Sequence, residues 1–194
     1  ALVGIESLNQ KSLDVINKHQ KISDIERCAA ALAKHKIRLI ASIVLGIDTD
    51  TQEDIMKGVE FSKKINAYQL QPAIMTPFPG TAVYSQYKKE KRMLTENWNL
   101  FDMMNVTFIP KLMLPWELQE MFFKAIKKFY TFFSSFKIWK IFGANFGLRR
   151  IAFSFVVKIG VFFLRIVACC DKRTNLYRLK HLPKSLSTTT TPTD

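Results

Sequence analysis

Three short runs hold the residue types that can bind or transform a small molecule: Glu6-Ser7, Gly46-Ile47-Asp48-Thr49-Asp50-Thr51 and Thr76-Pro77-Phe78-Pro79-Gly80-Thr81. Each follows an apolar run that reads as a strand, and in parallel α/β folds ligands sit beyond the carboxyl ends of the strands. Glu6 comes straight after Val3-Gly4-Ile5, where its two carboxylate oxygens can accept hydrogen bonds from a ligand's hydroxyls or amine. A helix N-terminal acid or a solvated turn residue is the competing reading. The turn at 46–51 has backbone donors that open a helix, yet its two aspartates would repel phosphate. Neither Gly-x-x-x-x-Gly-Lys-Ser/Thr nor Gly-x-Gly-x-x-Gly occurs, so Asp48 and Asp50 read as a capped helix start. His19, His35 and His181 share no metal-ligand spacing, and none is near a cysteine that it could activate. Cys28 stands alone and Cys169 and Cys170 are adjacent, which suits neither a disulfide framework nor a Cys-x-x-Cys site; a reducing, cytoplasmic setting is expected.

The elements that must hold these residues alternate in type. Leu2 to Ile5 reads as a buried strand and Leu13 to Asn17 as a short helix. Ser23-x-x-Glu26 predicts a capping box before a helix that runs through Ala33, and Ile37 to Leu45 is a second strand. Asp50-x-x-Glu53 predicts another capping box; Ile55, Met56, Val59 and Ile65 stripe the helix behind it, which leads to a third strand, Tyr68 to Met75. Crossovers of this length make the neighbouring strands parallel, in either an open doubly wound sheet or a β/α barrel. Two prolines and a glycine end the third strand. A helix is expected over Ala82 to Lys91, then an irregular stretch from Trp98 to Phe108. A helix from Pro115 to about Tyr130 follows, with Leu118, Met121, Phe122, Ala125 and Phe129 on one face.

The chain has 194 residues with 29 Lys+Arg against 16 Asp+Glu, a formal charge of +13 and 48% hydrophobic residues. That is one domain or a domain plus an appendage, and it excludes a disordered, collagen-like or coiled-coil chain. Residues 1 to 100 hold 14 basic and 11 acidic side chains, residues 101 to 194 hold 15 and 5, and 14 of the 16 phenylalanines lie between Phe101 and Phe163. Between Met121 and Ser185 there are 14 Lys/Arg and one acid, Asp171. This stretch fits peripheral membrane contact, basic groups on lipid headgroups and aromatics in the interface. Nucleic acid is disfavoured because the basic residues interleave with long apolar runs. The run 151–170 is long enough to span a bilayer, but Lys158 and Arg165 would each cost about 2.5–3.5 kcal/mol near its centre. A peripheral or partly inserted amphipathic helix is expected over a span; a helix packed on the protein's own core with its lysines in water is the plainer alternative. The chain opens with Ala1 inside a strand, which suggests a piece of something longer.

Taken in order, Gly4-Ile5-Glu6-Ser7, Asn17-Lys18-His19-Gln20, Ser42-Ile43-Val44-Leu45-Gly46-Ile47-Asp48-Thr49-Asp50-Thr51 and Thr76-Pro77-Phe78-Pro79-Gly80-Thr81 resemble the C-terminal part of a radical S-adenosylmethionine enzyme. The likeness is to the cobalamin-binding-domain subgroup that includes the hopanoid methylases. It continues through Arg92 and Trp98, Phe101-Asp102, Phe108-Ile109-Pro110, Glu117-Leu118 and Phe129-Tyr130, covering about residues 1 to 135.

The resemblance implies an α/β fold, the C-terminal half of a partial (β/α)6 TIM-type barrel followed by an α-helical appendage. Residues 1–81 would supply strands four to six and 82–184 the basic, Phe-rich appendage; 185–194, by its low-complexity Ser/Thr composition, reads as a disordered tail. It puts Glu6 against the ribose or amino acid part of S-adenosylmethionine, Lys18 against its carboxylate, Ser42 and Gly46 beside the adenosyl group, and the stretch from Gln71 to Met75 along the adenine. It further implies a four-iron four-sulfur cluster, whose Cys-x-x-x-Cys-x-x-Cys ligands this chain lacks, and cobalamin on a domain before Ala1. The complete protein would form a 5′-deoxyadenosyl radical and modify or methylate an unactivated carbon of a small-molecule or lipid substrate. The alternative is a non-catalytic remnant or a membrane-surface-binding protein.

Overall fold

The computed structural model describes residues 1–170 and 175–182. Three parallel strands, β1 (Leu2–Glu6), β2 (Ile40–Leu45) and β3 (Gln69–Ile74), lie side by side in chain order. Helices α1 (Gln10–Val15) and α2 (Ile22–Lys34) fill the first crossover and α3 (Gln52–Lys64) the second. Then come α4 (Ala82–Lys89), a 3-10 turn at Trp98–Leu100, α5 (Pro115–Phe129), α6 (Phe132–Phe142), α7 (Ala144–Cys170) and α8 (Asn175–Lys180). The tail expected over 185–194 lies outside the described residues.

Strands added in one direction through crossovers of one hand place their helices on one face of the sheet. The burial pattern of β2 records this. Ala41, Ile43 and Leu45 are buried, whereas Ile40, Ser42 and Val44 between them are half-exposed. The buried face meets Ile25 and Ala29 of α2 and Ile55, Val59 and Phe61 of α3 in one apolar cluster. Leu118, Met121, Phe122, Ala125 and Phe129 of α5 belong to the same cluster, so α5 closes the core beside α3. At the far edge of the sheet the Ile74 N–H donates to the Met103 carbonyl at 2.7 Å. Arg150 of α7 enters the interior with 2% exposure, its guanidinium over the rings of Phe129 (4.8 Å), Tyr130 (5.3 Å) and Tyr68 (5.8 Å). Burial pulls its pKa down to about 10.

Two helix starts differ from the sequence reading. The α3 cap is Thr51 rather than Asp50: the Thr51 hydroxyl accepts from the Asp54 N–H and the Asp54 carboxylate accepts from the Thr51 N–H, one residue later than the expected Asp50–Glu53 box. The reason is that Asp50 is buried and already engaged by two serines. α2 begins at Ile22 with Lys21 in the cap position and no side-chain cap, so Ser23 sits inside the first turn and the Ser23–Glu26 box is not used.

Gly46 leaves β2 with φ of +85°, and a Cβ there would run into the Leu118 side chain of α5. Gly46→Ala therefore combines left-handed strain with overpacking and should destabilise the fold by about 2–4 kcal/mol. Urea unfolding with an unchanged slope would report this, and a loss below roughly 0.5 kcal/mol, the scale of an ordinary surface change, would contradict it.

Candidate ligand-binding site

β1 ends in a bulge: Gly4 pairs with Ser42 and Glu6 already pairs with Ile43, so one residue is extra on β1. Glu6 takes up the extra residue with φ of +61°, a left-handed conformation unusual for a glutamate. Its side chain turns back along the strand toward Gly4, where a Cβ would collide with the Glu6 carboxylate and the Lys18 ammonium. Lys18 is delivered by the end of α1. Asn17 adopts φ of +53°, reversing the chain so that the Lys18 N–H donates to the Leu13 carbonyl at 2.8 Å. The Lys18 Nζ then reaches Glu6 Oε1 at 2.7 Å and the Gly4 carbonyl at 3.0 Å. Both partners keep contact with water, with side-chain exposures of 31% for Lys18 and 20% for Glu6.

Gly4, Ser42 and Gln71 stand in one row across the three strands. The row lies on the half-exposed face of the sheet, and the Glu6–Lys18 pair rises over its Gly4 end. The structure thus brings Glu6, Lys18, Ser42 and Gln71 together: a carboxylate, an ammonium, a hydroxyl and an amide on one surface. Gly46 stands apart from them, turned into the core against Leu118. Met75 continues the ladder through its N–H to the Leu45 carbonyl at 2.9 Å and packs half-buried against the core.

Behind this surface the strand exits are tied to one another. Asp50, 2% exposed, accepts from the hydroxyls of Ser7 (3.0 Å) and Ser12, and Ser12 also meets the Thr49 hydroxyl at 2.7 Å. Burial raises the Asp50 pKa against the opposing pull of these hydrogen bonds. Asp48, read from the sequence as part of a helix start, instead receives the Arg92 guanidinium on both oxygens, together with the Tyr87 hydroxyl at 3.2 Å and Lys111 at 3.5 Å. Arg92 also bonds Glu90 at 2.9 Å and the Ile109 carbonyl at 2.7 Å and lies 4.1 Å from the centre of the Tyr87 ring. Spacing could not have paired Asp48 with Arg92, 44 residues away. A concavity of about 510 Å³ lies at the opposite, amino end of the strands beside Lys36, Arg38 and Tyr68. Its one-sided charge and its distance from the strand exits leave it outside the site.

No protein-family model matches the chain. Similarity does reach curated proteins. A bacteriochlorophyllide d C-12(1)-methyltransferase of Chlorobaculum tepidum is 28% identical over 129 residues, 66% of this chain and 28% of the relative. An uncharacterised methyltransferase of Pyrococcus horikoshii is 26% identical over 130 residues, 67% of this chain and 28% of that protein. A bacteriochlorophyllide d C-8(2)-methyltransferase of Chlorobaculum tepidum is 26% identical over 133 residues, 67% of this chain and 29% of the relative. The chain is similar to methyltransferases. It spans less than a third of the length of these relatives.

These relatives correct the chemistry expected from the strand exits. The expectation is a cobalamin-type radical S-adenosylmethionine enzyme that forms a 5′-deoxyadenosyl radical to modify or methylate a carbon; the proteins found are named for methyl transfer, which agrees with the methylation and not with the radical route. The iron–sulfur cluster and cobalamin find no support in those names, and among the described residues no group of three or more His, Cys, Asp and Glu could hold a metal ion. The physical reason for the discrepancy lies in what the motifs describe. A carboxylate, a cation and a hydroxyl at strand exits specify how a ligand is held, not which of its bonds breaks.

The raised pKa of Asp50 has a measurable sign. An acid whose pKa is higher in the folded state binds more protons there, so its ionisation weakens the fold as pH rises from the ordinary value of 3.8 through the raised value. Asp50→Asn, which keeps an acceptor for both serines, should therefore gain stability relative to the parent across that window and hold the gain above it. Parallel stability–pH curves for the two proteins would contradict the assignment.

Proposed function

We propose that this chain is part of a methyltransferase that holds S-adenosylmethionine on the half-exposed face of its sheet and methylates a small molecule. The observation that carries the reading is the convergence of the Glu6–Lys18 pair with the Gly4–Ser42–Gln71 row. S-adenosylmethionine presents an ammonium and a carboxylate at one end, ribose hydroxyls in the middle and an adenine at the other. The surface offers matching partners: the Glu6 carboxylate for hydroxyls or the ammonium, the Lys18 ammonium for the carboxylate, and the Ser42 hydroxyl and Gln71 amide for the adenosyl group. Gly46 and Met75, at the exits of β2 and β3, border the same end of the sheet. When bound, the cofactor supplies an activated methyl group on a sulfonium; the residues of this chain bind and orient it.

In this reading the three strands are one side of a β/α barrel, with residues 1–81 forming the barrel part and 82–184 an appendage whose α5 closes the core. The similarity to enzymes named for bacteriochlorophyllide methylation supports a small-molecule substrate.

Equilibrium dialysis of the whole chain with radiolabelled S-adenosylmethionine tests the site. Saturable binding is expected, weakened about 10- to 100-fold by Glu6→Gln or Lys18→Met, the scale of one hydrogen bond to a charged group. Lys21→Ala, outside the row, should bind as the parent does. Equal binding by the parent and both site variants, or none by the parent, would overturn the reading.

A further inference from the structure

α7 is built inside out. The residues that it turns inward, Gly147, Arg150, Ser154, Val157 and Val161, follow a three- and four-residue spacing, and most are small or polar. A Cβ on Gly147 would collide with Trp139 of α6, and the Ser154 hydroxyl meets that of Ser135 at 3.2 Å. The large apolar side chains point the other way: Phe155 is 69% exposed, Val156 67%, Phe162 62%, Phe163 60% and Leu164 57%. α6 does the same, burying Ser135 and Ile138 while exposing Phe133, Phe136 and Trp139. A helix that served only to cover the protein's own core would show the opposite arrangement.

The charges of this hairpin have one sign. From Thr131 to Cys170 the sequence has Lys137, Lys140, Arg149, Arg150, Lys158 and Arg165 and no Asp or Glu. Lys137, Lys140, Arg149 and Lys158 are exposed, and the Lys140 ammonium sits 5.2 Å from the centre of the Phe136 ring. Exposed aromatics beside unopposed cations complement an anionic bilayer surface, where rings enter the headgroup–acyl boundary and ammonium groups meet phosphates. Among the described residues no helix is long and apolar enough to cross a membrane. We propose that the α6–α7 hairpin is an in-plane anchor that docks the protein on an anionic lipid bilayer. Gly147 and Ser154 keep α7 close against α6, so that the apolar payload is left to the lipid. The anchor is independent of what the sheet face binds.

Vesicle co-sedimentation of the whole chain tests this, with phosphatidylglycerol and phosphatidylcholine at one to three against phosphatidylcholine alone. Binding should favour the anionic vesicles and weaken with added salt. Phe155→Ser/Phe162→Ser/Phe163→Ser and Lys137→Ala/Lys140→Ala/Lys158→Ala should each lower partitioning about 10- to 100-fold, since one lysine near such a surface contributes about fivefold. The replaced side chains are exposed, and unchanged circular dichroism will show that the variants fold. In the parent alone, a blue shift of tryptophan fluorescence on adding anionic vesicles, with quenching by brominated phosphatidylglycerol, reads the same event without mutation. No preference for anionic lipid, variants that bind as the parent does, or an apolar face that instead drives a dimer in sedimentation equilibrium without lipid binding would each overturn the proposal.

Discussion

The handedness of two crossovers decides most of this structure. Because β1, β2 and β3 add in one direction, α2 and α3 fall on the same face and bury Ile5, Ala41, Ile43 and Leu45 beneath them. The opposite face keeps residues that a doubly covered sheet would not tolerate: Gly4, Ser42 and Gln71 in one row. A parallel sheet with both faces covered buries its strands throughout, whereas in β2 buried and half-exposed residues alternate. The polar row follows from the same asymmetry as the core.

That asymmetry leaves the strand exits in need of support, and each has its own. Asp50 gathers Ser7 and Ser12 from the β1 side, Asp48 takes Arg92 from the segment after α4, and Gly46 admits Leu118 of α5. Three contacts of different physical kind, a buried hydrogen-bonded acid, a bidentate ion pair and a close apolar packing, thus converge on one turn. α5 is consequently fastened to the carboxyl end of the sheet, although half the chain separates it from β1.

The alternation of strand and helix was legible because the apolar runs are short and the helical stripes regular; β2 and β3 are shorter than expected by only a few residues at their ends. Capping was less legible. Asp50 and Thr51 both make good caps, and Glu53 and Asp54 are both acids, so the choice fell to burial: Ser7 and Ser12 had claimed Asp50. Pairing across long sequence distances, as in Asp48 with Arg92, carried no local sign at all. Glu6 stands out by its place after Val3-Gly4-Ile5 and Lys18 only through a resemblance, and their contact depends on two left-handed residues, Asn17, which favours that conformation, and Glu6, which does not. The reaction was the least legible: residues that grip a ligand are shared among chemistries, and in the relatives found the names point to methyl transfer.

The Glu6–Lys18 ion pair has a consequence for what can enter. With its seats already filled by each other, the pair is its own counter-ion, and a ligand held there as proposed would have to exchange with it. A singly charged visitor would satisfy one partner and strand the other, half-desolvated, beside Gly4. A zwitterion replaces both contacts at once and leaves the local charge balanced. Were the sheet face to hold a ligand as proposed, the salt link at the end of β1 would select on charge distribution, favouring a guest that carries an ammonium and a carboxylate together over one that carries a single charge.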